Sequence, residues 1–115
     1  VDKFIEQVAV IADQRKFVSA LIVPEFTVLE EWAKRQNITF ESREELCANK
    51  QVNEMMHERI DTLQQRLASY EQIKHFTLLA HHFSMESGEL TNTLKLRRAV
   101  VNKNYQAVID KMYEE

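Results

Sequence analysis

Val8-Ala9-Val10-Ile11-Ala12-Asp13-Gln14-Arg15-Lys16-Phe17-Val18-Ser19-Ala20-Leu21-Ile22-Val23-Pro24 decides the fold. Two apolar runs flank a polar connection, residues 13–16. The first run, Val8 to Ala12, is rich in β-branched residues and reads as a strand. The second, Phe17 to Val23, reads as another and is stopped by Pro24. Two strands with a short polar link predict an antiparallel hairpin. Both runs are almost unbroken in apolar residues, which predicts cover on both faces, with helices supplying it. Upstream, residues 2–7 are mixed and read as a turn or the end of a helix.

Downstream of the hairpin the period changes. Phe26, Leu29, Trp32 and Ala33 recur at helical spacing and predict a helix over about 25–36, with Trp32 as a core anchor. Asn37 to Ser42 reads as a loop with Ile38 and Phe40 tucked in. Ser42 and Glu45 have capping-box spacing, so a short helix begins at Ser42. Asn49 can cap the longest helix, about 50–69. Its apolar stripe is Val52, Met56, Ile60, Leu63 and Leu67, with Met55 beside it. Glu54, Glu58, Arg59, Asp61, Gln65 and Arg66 form the solvated face. Ile73 to Ala80 reads as a third strand, and Ser84 to Glu89 as a turn around Gly88. A final helix runs from about Leu96 to Tyr113, with Val101, Tyr105, Val108, Ile109 and Met112 on its apolar face. The order β-β-α-α-β-α predicts an α+β domain over residues 1–115, a small mixed sheet of about three strands packed with helices.

Composition narrows the function classes. A chain of 115 residues, 44% hydrophobic and 29% charged, fits one soluble globular domain. The net charge of −3 gives no global basic footprint, so nucleic acid is not an expected partner and any anion site must be local. The one cysteine, Cys47, cannot form an internal disulfide, fits a reducing compartment and reads as an inert thiol. No apolar run approaches the ~20 residues of a transmembrane helix, and no signal-peptide pattern opens the chain. A start at Val1 rather than Met suggests a piece of a longer protein.

The chemistry concentrates late in the chain. Ser87-Gly88-Glu89-Leu90-Thr91-Asn92-Thr93-Leu94-Lys95-Leu96-Arg97-Arg98 holds the only glycine and then three cations within four positions. Lys95, Arg97 and Arg98 beside a helix start could receive an anion, where backbone N–H groups and side-chain donors converge. The plain alternative is a solvated basic turn whose charges pair with nearby glutamates. Elsewhere the candidates thin out. His81 and His82 are adjacent at a strand end and point to opposite sides, which disfavours a shared metal. His57 and His75 lack partners at ligand spacing. One glycine cannot build a phosphate or dinucleotide loop. Glu30-Glu31 and Glu44-Glu45 read as solvated carboxylates. By elimination, Lys95 is the strongest chemical candidate.

Two stretches also carry a resemblance. Glu6 to Pro24 resembles the start of the mobile C-terminal domain of long-chain fatty-acyl-CoA synthetases, within the AMP-forming, acyl-adenylate-forming superfamily. Glu89-Leu90-Thr91-Asn92-Thr93-Leu94-Lys95-Leu96-Arg97-Arg98 is similar to that family's final motif in its long-chain form. Val100-Val101, Tyr105 and the closing helix fit as well, so the resemblance covers nearly the whole chain.

The resemblance implies a two-step reaction. A fatty acid and Mg-ATP give acyl-adenylate, and coenzyme A then displaces AMP. It implies that this domain is a lid on an N-terminal adenylation domain of the same chain, swinging between orientations for the two half-reactions. It places Lys95 as the catalytic lysine of adenylation, Thr93, Arg97 and Arg98 as supports of the anion contact, and Gly88 as a shaper of the turn. The superfamily commonly has Ser-Gly where Thr93-Leu94 stands. ATP, Mg2+ and coenzyme A would serve the full-length enzyme, none of them bound by this domain alone, and the isolated domain would be inactive. A cytoplasmic location is implied, with the inner membrane surface as a further option for the full-length enzyme. A competing expectation from another class is a non-catalytic α+β protein-interaction module. It uses the 50–69 helix and its methionine-bearing stripe as a partner surface.

Overall fold

The computed structural model describes residues 3–12 and 16–114; Asp13-Gln14-Arg15 of the predicted connection lies outside the described residues. Strand β1 (Ile5–Ile11) pairs antiparallel with β2 (Val18–Pro24), from Ile5 opposite Pro24 to Ile11 opposite Ser19. Strand β3 (Ile73–Leu78) lies parallel to β2 on its other side, so the sheet order is β1-β2-β3 and the sheet is mixed, as predicted. The central position of β2 explains its composition. Ala20, Leu21, Ile22 and Val23 are all essentially without exposure, so a run with no polar break is what this strand requires.

β1 departs from the expectation of two covered faces. It starts three residues earlier than predicted and alternates: Ala9 and Ile11 are buried, while Glu6 and Val8 are exposed. It is an edge strand with one face open. Its start was obscured by Gln7, whose side-chain amide accepts from the Phe83 N–H at 2.8 Å and donates to the Phe83 carbonyl at 3.3 Å. A glutamine amide carries the same donor and acceptor as a peptide group, so it substitutes here for strand pairing.

Five helices among the described residues complete the domain. Helix α1 (Phe26–Arg35) begins where Glu25 accepts from the Thr27 N–H at 3.1 Å. It ends in a Schellman motif: Asn37 takes φ 60°, and the Ile38 N–H reaches Ala33 O at 2.9 Å. Helix α2 (Arg43–Ala48) is capped by Ser42 and α3 (Lys50–Leu63) by Asn49, both as predicted. Phe26, Leu29, Ala33, Leu46, Val52, Met56 and Ile60 carry these helices into one core with β2.

Helix α3 is shorter than the predicted 50–69, and Leu63 and Leu67 are exposed rather than part of its buried stripe. Gln64 ends it by turning inward. Its buried amide accepts from the Ile73 N–H at 2.8 Å and donates to Ile73 O at 3.0 Å, the same device as Gln7. Arg59 also leaves the predicted solvated face and stacks its guanidinium over the Phe4 ring at 4.7 Å. The last predicted helix divides into α4 (Arg98–Asn104) and α5 (Gln106–Met112) at Tyr105, whose φ of −114° and ψ of 23° bend the chain. Hydrogen bonds from Tyr105 N–H to Val101 O and from Ile109 N–H to Tyr105 O still span the joint, so it is a kink within one helical path.

Candidate active site

The basic stretch folds as a small hairpin, and Lys95 stands at its tip. Arg97 N–H donates to Glu89 O at 2.7 Å, Leu90 bridges Leu96 antiparallel, and Thr91 N–H donates to Lys95 O at 2.8 Å. Asn92-Thr93-Leu94 form the connecting loop. Leu94 N–H returns to Thr91 O at 2.9 Å, and Leu94 itself takes φ 62°. A tight turn followed by one left-handed residue is the usual three-residue hairpin loop, and glycine is the residue that enters it without strain. Leu94 takes the same backbone shape at a cost of about 1–2 kcal/mol.

Leu90 and Leu96 pack against the core, so the alternation along the second arm sends Lys95 and Arg97 outward together. Neither has an ion-pair partner among the described residues, and no glutamate takes up the cluster's charge. Arg98 points elsewhere: its guanidinium donates to Val10 O of β1 at 2.6 Å. The structure therefore brings Lys95 and Arg97 to one exposed face and uses Arg98 as an anchor to the sheet. Thr93 is exposed beside them, with its hydroxyl 3.0 Å from that of Thr91. Gly88 takes φ 79° in the preceding turn. A Cβ there would meet only Val100 Cγ1 at 3.7 Å, so the glycine answers to backbone conformation rather than to crowding.

The predicted helix start at about Leu96 moves to Arg98, with Arg97 as the uncapped N-cap of α4, so Lys95 lies before the helix and outside its first turn. The position of the ammonium is set by the hairpin, not by a helix dipole. A groove of about 470 Å³ runs beside it, lined by Gln7 and Val8 of β1, by Phe83, and by Leu94, Lys95 and Arg98. A larger depression of about 670 Å³ lies between α3 and β3, away from Lys95, around Asn53, His57 and His75.

Two residues of this site, Thr91 and Glu89, are not singled out by the sequence reading. Thr91 accepts from the N–H groups of Thr93 and Lys95 at 3.3 and 3.1 Å. Its place four residues before Lys95, in a Thr/Asn-rich stretch, is the signal of a side-chain-capped turn. Glu89 is buried, its carboxylate accepting from Ser87 Oγ at 2.7 Å and Asn104 Nδ2 at 3.1 Å, which fastens the hairpin to α4. Burial, and then the charge of Glu89, push the Tyr105 phenol above its ordinary pKa. No local pattern marks Glu89, since its partners come from before and after it in the chain.

The other candidates fall as single groups. His81 meets Glu44 at 3.5 Å and His82 meets Glu6 at 2.8 Å, on different sides. Glu6 is held below the ordinary carboxylate pKa, first by that hydrogen bond from His82. Burial, assisted by Glu44, pushes the Cys47 thiol up to about 11.

Comparison with known families settles the membership. The model of the family described as the C-terminal domain of AMP-binding enzymes matches residues 1–115. This chain belongs to that family. Among curated members, human long-chain-fatty-acid–CoA ligase 1 is 36% identical over 100 residues, covering 84% of this chain and 14% of the ligase. A probable CoA ligase of Humulus lupulus is 32% identical over 101 residues, covering 86% of this chain and 15% of that protein. The AMP-binding C-terminal domain thus spans about one-seventh of the length of these relatives. The same fold recurs in the adenylation domain of a carboxylate reductase from Mycobacterium chelonae. There the TM-score is 0.75 at 21% identity, over 97% of this chain and 16% of the other. In the didomain of a Segniliparus rugosus carboxylic acid reductase, in complex with AMP, it is 0.73 at 20% identity, over 96% and 14%. The family is one of enzymes. No helix among the described residues is long and apolar enough to cross a membrane.

Proposed function

We propose that this domain is the C-terminal lid of an AMP-forming long-chain fatty-acid–CoA ligase, and that Lys95 is its adenylation lysine. The observation that supports this is an unpaired ammonium at the tip of a hydrogen-bonded hairpin, directed away from the domain's own core. When the lid closes on an N-terminal adenylation domain, Lys95 enters between the fatty-acid carboxylate and the α-phosphate. Those oxygens repel one another and gain charge in the transition state, so a fixed positive charge lowers the barrier. It also aligns the carboxylate with phosphorus. Lysine suits a compact point charge on a flexible stem. Arg97 and the Thr93 hydroxyl extend the same face toward phosphate oxygens.

No three His, Cys, Asp or Glu side chains converge among the described residues. Mg2+ would accompany the ATP phosphates in the full-length enzyme. The interaction-module alternative is weakened, because Val52, Met56 and Ile60 of the methionine-bearing stripe are in the core and only Leu63 and Leu67 of it stand exposed.

The test is Lys95→Ala in the full-length protein, with the half-reactions assayed apart. Pyrophosphate release from ATP and a long-chain fatty acid should fall by about 10²–10³. Thioester formation from supplied acyl-adenylate should change little. Equal losses in both half-reactions, or none, would refute the assignment.

A further inference from the structure

We infer that Thr91 is the positioning residue for Lys95, a role that rests on the reading of Lys95 given above. A threonine hydroxyl has one proton and two lone pairs. At Thr91 all three are used inside the loop. The lone pairs accept from Thr93 N–H at 3.3 Å and Lys95 N–H at 3.1 Å. The proton is then left for the Thr93 hydroxyl, 3.0 Å away. This assigns the direction of that bond: Thr91 donates and Thr93 accepts. Thr93, an exposed residue, keeps its own O–H.

The arrangement matters because the loop is held against a cost. Leu94, immediately before Lys95, stands at φ 62° without being glycine. An exposed three-residue loop carrying that strain would relax if nothing tied its two ends. Backbone bonds fix Thr91 N–H to Lys95 O and Leu94 N–H to Thr91 O. They leave the N–H groups of Thr93 and Lys95 to the Thr91 side chain. One hydroxyl thus fixes the peptide from which the Lys95 side chain departs. Released, the ammonium would sample a volume instead of a point. Such misplacement lowers rate through orientation while leaving the charge itself in place.

Thr91→Val keeps the branched shape and removes the hydroxyl; Thr91→Ser keeps the hydroxyl. In this chain, amide exchange at Lys95 and Thr93 should quicken about tenfold in Thr91→Val, as loss of one hydrogen bond allows, and stay near wild type in Thr91→Ser. In the full-length protein, adenylation kcat should fall about 10- to 100-fold in Thr91→Val, with thioester formation from supplied acyl-adenylate unchanged. Thr91→Ser should restore it. Added to Lys95→Ala, Thr91→Val should cost nothing more, since there is no ammonium left to position. Unchanged exchange, an additive double variant, or a slow Lys95→Ala beside a normal Thr91→Val would each overturn the inference alone. If Lys95→Ala leaves adenylation intact, the reading of Lys95 fails and the catalytic part of this inference fails with it.

Discussion

Replacing Tyr113 by Phe removes one oxygen atom from the place where the last helix meets the hairpin. That oxygen accepts from Ser19 Oγ at 2.9 Å and donates toward Phe17 O at 2.7 Å and Ile11 O at 3.0 Å. The ring stacks on Phe17 with centroids 4.5 Å apart at 25°, a contact that Phe would keep, so the cost belongs to the hydroxyl. Ser19 has no exposure, and Tyr113 is its hydrogen-bond partner through the side chain. Without it a buried O–H is orphaned, at about 1–3 kcal/mol, and the bond to the strand carbonyls is lost as well, at about 1 kcal/mol. Tyr113→Phe should therefore destabilise the domain by about 3 kcal/mol. Ser19→Ala should cost only about 1 kcal/mol, because the phenol keeps its carbonyl partners. The double variant should then lose about 2 kcal/mol rather than about 4, since no orphan remains. Urea unfolding of this chain, followed by the fluorescence of its single tryptophan, Trp32, measures all three. A Tyr113→Phe cost below about 1 kcal/mol, or singles that add, would refute the reasoning.

Two other outcomes follow from local geometry. Leu94 is largely exposed at φ 62°, so Leu94→Gly should leave stability within about 1 kcal/mol, strain relief opposing the added freedom of the unfolded chain. Leu94→Val should lose about 1–2 kcal/mol in the same urea assay, because a β-branched residue fits that region worse. With its thiol pushed up to about 11, Cys47 should react with iodoacetamide at pH 7.5 about 10²-fold more slowly in the folded chain than in urea. Equal rates would contradict the burial argument.

Much of the fold was legible because its period is strong. The hairpin runs, the α1 stripe and the caps Ser42 and Asn49 each announce themselves within a few residues. The misses have a common cause. Gln7 and Gln64 look like surface residues, yet both turn inward and pair their side-chain amides with the backbone of another segment, Phe83 far along the chain for Gln7 and Ile73 beyond the next turn for Gln64. The first hid the start of β1, and the second ended α3 early. Neither event has a local signature, because the partner supplies the reason. At the site, Lys95 stood out as a cation, but its placement on a hairpin did not. The bridge from Leu90 to Leu96 depends on core contacts rather than on β-propensity. The role of Thr91 has a local turn signal, whereas that of Glu89 depends on hydrogen-bond geometry that no spacing rule expresses.

The bond from Arg98 to Val10 O has a consequence beyond anchoring. β1 ends the sheet, and the rim of a sheet is a template on which another chain can lay a strand. Here a guanidinium already occupies one of the carbonyls that such a strand would need. A newcomer would have to displace a charged donor and set a cation against its own backbone. The last residue of the basic cluster thereby discourages strand-by-strand aggregation of the domain, a protection that matters most to an exposed edge beside an open groove.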